Sequence, residues 1–334
     1  MGAGATILGL AGPRLTRAER EFFAAADPWA FILFARNLED PDQIRWLTTE
    51  LRESVGREAP IFIDQEGGRV ARLRPPVWRD WLPALEQVKL NPRKAVDTMR
   101  LRYRIIAHEL RALGIDGNCA PVVDLVQPDT HEILKNRCYG NDVVRVSDIA
   151  GAVAEGLVMG GVLPVIKHIP GHGRATADSH LELPVVTTKE KALRVSDFLA
   201  FQSVAGLPLA MTAHVVYRDI DPENPATTSS RMIGIIRETI GFDGLLMTDD
   251  LSMKALTGSF AERTEASLGA GCDIVLHCNG DMAEMAPIVE AAGRLTGRAA
   301  ERAEEALTWR REPVDVDIGA LDAEFRDLMT HRSG

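Results

Sequence analysis

A (β/α)8 TIM barrel, an α/β fold in a single domain, is what the sequence predicts, and three observations predict it. Eight short apolar runs recur along the chain, each bounded by turn residues. Helical patterns lie between them, and the series spans roughly 280 residues, the length such a barrel needs. The runs are continuous rather than alternating, which marks strands buried on both faces, as parallel strands are. A doubly wound sheet is the alternative.

In order, the strand candidates are "ATILGL" (5–10), "AFILFA" (30–35), "PIFID" (60–64), "NCAPVVDL" (118–125), "LPVIKH" (163–168), "LPLAMTAH" (207–214), "GLLMTDD" (244–250) and "CDIVLHC" (272–278). Helical patterns include "TRAEREFFAAA" (16–26), "PDQIRWLTTELRESV" (41–55) and "PRKAVDTMRLRYRIIAHELRALG" (92–114). The second begins with Asp40 before Pro41, a helix start, and the third ends on Gly114, a helix stop. No Ser/Gly-rich linker, low-complexity block or repeat argues for a second domain. The tail "EPVDVDIGALDAEFRDLMTHRSG" is too short to be one and is expected to be an extension of the barrel.

At 334 residues with 46% hydrophobic content the chain can bury a large core. Its formal net charge of −10 sets it against nucleic acid and anionic membrane, because the overall field repels phosphate. Four widely spaced cysteines form no C-x-x-C pair, which fits a reducing cytoplasm. The N-terminal apolar run stops at Pro13, too short for a spanning helix, so no export is expected. Gly2 and Thr6 match a myristoylation pattern, but a short buried strand accounts for the same residues.

Active-site groups of a barrel sit at the C-terminal ends of its strands. Six consecutive strand ends here carry polar groups: Asp64, with Arg69 and Arg72 after it; Asp124, with Arg137; Lys167 and His168, followed by a loop with Asp178 and His180; His214; Asp249 and Asp250; His277 and Asn279. Such a lining, with little aromatic surface, suits a small polyhydroxylated ligand.

The stretch "KHIPGHGRATADSH" (167–180) concentrates these groups. His168 and His172 have metal-ligand spacing, but Pro170 and Gly171 between them disfavour a helix presenting both rings, and no H-E-x-x-H is present. His168, His214 and Asp249 converging from separate strands is the remaining metal arrangement. A serine relay lacks a G-x-S-x-G elbow. The third reading makes Asp178 and His180 an orienting pair, the carboxylate holding one ring nitrogen and leaving the other to move a proton, with Asp249 as carboxylate nucleophile.

"KHIPGHGRATADSHLELP" followed by "GLLMTDDLSM", with "IDQEGGRVARL" upstream and "APVVDL…NRCYG" between, resembles the bacterial β-N-acetylglucosaminidases of glycoside hydrolase family 3. The likeness runs from the first strand through the eighth. It implies an enzyme that releases terminal N-acetylglucosamine from GlcNAc-1,6-anhydro-N-acetylmuramyl peptides in the cytoplasm during peptidoglycan recycling. Position by position, it implies Asp249 as nucleophile, His180 as an unusual acid/base residue and Asp178 as its partner. Asp64, Arg72, Arg137, Lys167 and His168 correspond to sugar-binding positions, and Asp250 becomes a cap for the turn. No such role is implied for Arg69, His172, His214 or His277, which are expected to be structural or to support the site from behind its lining, with His214 the leading exception. Ile169 stands where Phe is commoner, and Cys138-Tyr139 where a small residue and Phe are usual; both are expected to be packing changes.

The resemblance further implies a muropeptide as the small-molecule partner, no cofactor and no metal, and a monomer is favoured. A neutral imidazole repels an incoming anion less than a carboxylate would, so phosphorolysis is the rival reaction. A non-catalytic barrel that senses muropeptides is the rival from another class.

Overall fold

The computed structural model describes residues 2–176 and 183–330. Eight parallel strands close into a barrel, β1 (Gly4–Leu8), β2 (Pro28–Leu33), β3 (Ile61–Ile63), β4 (Gly117–Asn118), β5 (Leu163–Ile169), β7 (Leu209–Thr212), β9 (Leu245–Asp250) and β10 (Ile274–His277). Two short strands outside it, β6 (Val185–Val186) and β8 (Val216–Tyr217), pair in parallel. The (β/α)8 barrel expected from the sequence is the fold observed, with a strand at each of the eight apolar runs.

Two apolar layers explain why those runs are continuous. Ile7, Ile32, Phe62, Leu163, Val165, Leu209, Met211, Leu245, Met247, Ile274 and Leu276 form the layer inside the barrel. Their neighbours Leu8, Phe31, Leu33, Ile61, Ile63, Ile166, Ala210 and Leu246 belong to the layer between sheet and helices. Successive side chains alternate between the layers, as the period of a strand requires.

The fourth strand is shorter than the run 118–125 suggests. Pro121 brings no N–H to the ladder, and beyond Asn118 the chain keeps only isolated contacts with β5, including Val123 N–H to the Lys167 carbonyl at 2.7 Å.

Helix starts follow their local chemistry. Thr16 and Glu19 form a capping box for the helix Arg17–Ala26, and Asp40 accepts from the N–H groups of Asp42 and Gln43 at the head of Pro41–Val55. The third pattern becomes a 3-10 turn, Pro92–Lys94, followed by the helix Ala95–Arg111, and Gly114 takes a φ of +77° just beyond it. The tail folds back as a helix, Ile318–Thr330, whose Phe325 packs edge-on against Trp81 with ring centroids 5.4 Å apart. Asn91 donates to the Leu328 carbonyl at 2.7 Å. All four cysteines are buried and free, and no helix among the described residues is long and apolar enough to cross a membrane.

Candidate active site

The inward parity of the barrel strands continues past the apolar layer and changes character. Phe62 is followed on the same face by Asp64, Val165 by Lys167, Met247 by Asp249, Ile32 by Phe34 and Leu276 by Cys278. All five of these later residues line a cavity of about 280 Å³ at the C-terminal end of the barrel, together with Arg69, Arg72, Arg137, His168, His172, Met211, Asp250 and Met253. Six residues proposed for the site from sequence, Asp64, Arg72, Arg137, Lys167, His168 and Asp249, therefore surround one space. The other two, Asp178 and His180, lie outside the described residues.

The cavity wall is an ion network. Lys167 Nζ lies 2.8 Å from Asp64 Oδ1 and 2.7 Å from Glu66 Oε1. Arg137 grips Glu66 with two bonds, Nε to Oε2 at 2.9 Å and Nη2 to Oε1 at 2.8 Å, and Arg72 Nη2 donates to Asp64 Oδ2 at 3.1 Å. Burial alone would raise both carboxyl pKa values. Lys167 and Arg72 outweigh it and hold Asp64 well below the usual carboxylate range, while Arg137 and Lys167 bring Glu66 down to about 2. Burial likewise opposes the charge on Lys167, and the two acids overcome it and raise its pKa. The groups stay ionised because they are matched.

Asp124 organises the next part of the wall. Its Oδ2 is 2.7 Å from His168 Nδ1, and its Oδ1 accepts the His172 backbone N–H at 2.6 Å. Burial raises the Asp124 pKa, but His168 overrides this and lowers it. An ionised Asp124 places a proton on His168 Nδ1, so a neutral ring presents Nε2 as an acceptor, 3.4 Å from Arg137 Nη2.

The His172 ring stands edge-on to His168, centroids 5.7 Å apart. Burial and then the charge of His168 lower its pKa from 6.5 to about 4. The unfolded chain takes up this proton near pH 6.5 and the folded chain only near pH 4, so its contribution to stability is complete above 6.5 and is lost as pH falls toward 4. A series of thermal melts across that window should show Tm falling with pH, and His172→Gln should flatten the slope. His214, whose burial also lowers its pKa, leaves part of the slope in place; a slope untouched by the substitution would refute the assignment.

Asp249 and Asp250 separate by parity. Asp249 faces the cavity and its Oδ1 accepts the Asp250 N–H at 2.8 Å. Asp250 ties the following turn, accepting from Ser252 N–H at 3.0 Å and Oγ at 2.6 Å and from the Cys278 N–H at 3.2 Å. It is the turn cap the sequence suggested.

His214 and His277 are fully buried away from the cavity. The first bonds Thr227 Oγ1 at 2.7 Å and the Asp250 carbonyl at 3.1 Å, and the second packs edge-on to Phe260. Arg69 and His172 both line the cavity. Cys138 and Tyr139 are buried, the Tyr139 hydroxyl accepting from the Val122 N–H at 3.2 Å.

Sequence reasoning missed Glu66 and left Asp124 without a role. The only signal for Glu66 is its place two residues after Asp64 in "DQEGG"; its function comes from Arg137, 71 residues on. Gly67 follows at a φ of +107°, and a Cβ there would lie 1.8 Å from the buried Arg102 guanidinium, which donates to the Glu66 carbonyl, so both backbone and space call for glycine.

A carboxylate at the end of the seventh barrel strand thus faces a polar cavity at the barrel end where enzymes of this fold place their active sites. The model of the glycosyl hydrolase family 3 N terminal domain matches residues 8–308. A β-hexosaminidase of Pseudomonas aeruginosa is 38% identical over 280 residues, which is 83% of this chain and 82% of that relative. One of Methylococcus capsulatus is 35% identical over 324 residues, 96% of each chain. The crystal structure of NagZ from Neisseria gonorrhoeae in complex with N-trifluoroacetyl-D-glucosamine superposes with a TM-score of 0.84 at 30% identity, covering 98% of this chain and 97% of that one. The chain belongs to glycosyl hydrolase family 3. It is a glycoside hydrolase similar over most of its length to relatives called β-hexosaminidases.

Proposed function

We propose that the chain is a retaining β-N-acetylhexosaminidase that releases terminal, non-reducing β-linked N-acetylglucosamine from GlcNAc-1,6-anhydro-N-acetylmuramyl peptides in the cytoplasm, in peptidoglycan recycling. The carrying observation is the position of Asp249, an inward carboxylate on the wall of a cavity with room for about one sugar unit, among Asp64, Arg72, Arg137, Lys167 and His168. These five groups offer donors and acceptors to sugar hydroxyls. We read residues 1–334 as one catalytic domain, the last stretch being a C-terminal extension.

In this reading Asp249 attacks the anomeric carbon while protonated His180 gives its proton to the departing glycosidic oxygen. The neutral imidazole then takes a proton from water as that water displaces Asp249, and two inversions keep the configuration. Asp178 favours the imidazolium and fixes its orientation.

The test is the identity of the sugar product from GlcNAc-anhydromuramyl peptide, with and without phosphate. Free N-acetylglucosamine in both supports hydrolysis; its 1-phosphate would replace this reading by phosphorolysis. His180→Ala should lose about 10²- to 10⁴-fold on this substrate, whose alkoxide is a poor leaving group, and much less on activated aryl glycosides. Equal losses on both would remove His180 from the acid role.

A further inference from the structure

The turn 67–70 is locked at its backbone and loose at one side chain. Gly67 and Val70 exchange N–H to carbonyl bonds at 3.0 and 3.2 Å, and the Gly68 N–H donates to the Trp81 carbonyl at 2.7 Å. Arg74 Nη2 donates to the Gly68 carbonyl at 3.1 Å and the Arg69 carbonyl at 2.8 Å. This turn presents Arg69 at the solvent end of the cavity, exposed, where its described polar contact is Nη1 to the Ile133 carbonyl at 3.5 Å.

Every other Lys or Arg lining the cavity is matched by a carboxylate: Arg72 by Asp64, Arg137 by Glu66, and Lys167 by both. Among the described residues none lies within salt-bridge distance of Arg69, and nearby Glu132 is paired with Lys135 at 3.0 Å. A terminal sugar held by the inner wall directs its glycosidic bond outward, so the group that leaves passes this guanidinium. The chain's net charge of −10 repels an anion at long range, which leaves recognition of one to a local cation.

We propose that Arg69 is a specificity-determining residue that pairs with a carboxylate on the leaving group, so the site prefers β-N-acetylglucosaminides whose aglycone is anionic. This rests on the reading of the cavity as a β-N-acetylhexosaminidase site. The probes are two aryl β-N-acetylglucosaminides matched in leaving-group pKa, one bearing a ring carboxylate and one a neutral substituent.

In wild type the ratio of kcat/KM, charged over neutral, should exceed one and shrink with added salt. In Arg69→Gln it should fall about three- to fivefold, the size of a partly exposed ion pair, and Arg69→Lys should keep part of it. A ratio unaffected by Arg69→Gln, with both probes turned over by wild type, overturns this inference alone. Wild type that turns over neither probe overturns the site reading and the inference with it.

Discussion

Asp249→Ala should lower kcat on aryl β-N-acetylglucosaminides by about three to four orders of magnitude, with a much smaller change in the affinity for the sugar. A loss of that size corresponds to roughly 4–5.5 kcal/mol of transition-state stabilisation, in line with removal of a covalent nucleophile. The substituent on the cavity wall changes, but the apolar layer beneath it does not, because Met247 and Leu245 fill the inner positions of β9. The variant also loses the acceptor for the Asp250 N–H, an effect a melting curve separates from the kinetic one. Added azide, small enough for the space vacated, should restore some turnover and give a glycosyl azide of inverted configuration. Retention of a tenth of wild-type kcat would end the assignment, as would a trapped sugar adduct mapped to another side chain.

Glu66→Ala should be the most damaging change to stability in the cavity wall. It leaves Arg137 without a carboxylate and Lys167 with Asp64 alone, both largely buried on the cavity wall, and breaking a buried ion network on one side costs about 3–5 kcal/mol. Glu66→Gln keeps the shape and some hydrogen bonds, so its loss should be smaller. The pH dependence identifies the cause. Glu66 titrates near 2 in the folded chain against an ordinary 4.5, so its contribution is complete above pH 4.5 and is lost as pH falls toward 2. Denaturant midpoints measured across that window should fall steeply for wild type and less for Glu66→Gln; parallel slopes would show that the carboxylate is not held by its partners. Where the Gln variant folds, a raised KM is expected too, because Arg137 and Lys167 lose the group that aims them.

The barrel was legible because each of its strands is buried on two sides and leaves an unbroken apolar run, which only a layer of helices outside and a packed interior can absorb. The fourth run was overextended for a local reason, Pro121, whose effect on pairing depends on the neighbouring strand. Asp64, Lys167 and Asp249 stood out because each is the first polar residue after apolar neighbours of the same parity. Glu66 did not, since an acid in a glycine-rich turn looks the same whether it meets solvent or two cations, and Asp124, though marked at a strand end, showed nothing of the His168 ring it holds. Arg69 carries the same lack of signal: whether an arginine finds a carboxylate is settled by residues distant in sequence.

The alternation along β9 has an evolutionary edge. With leucine or methionine available to either layer, hydrophobicity by itself scarcely distinguishes one alignment of the strand from another shifted by a single position. The slipped alignment would drive Asp249 toward the greasy helix side and pull Asp250 off the Ser252 and Cys278 groups it ties, an error the fold feels at once. The two acids thus also act as keying marks for assembly, whatever reaction the first of them serves.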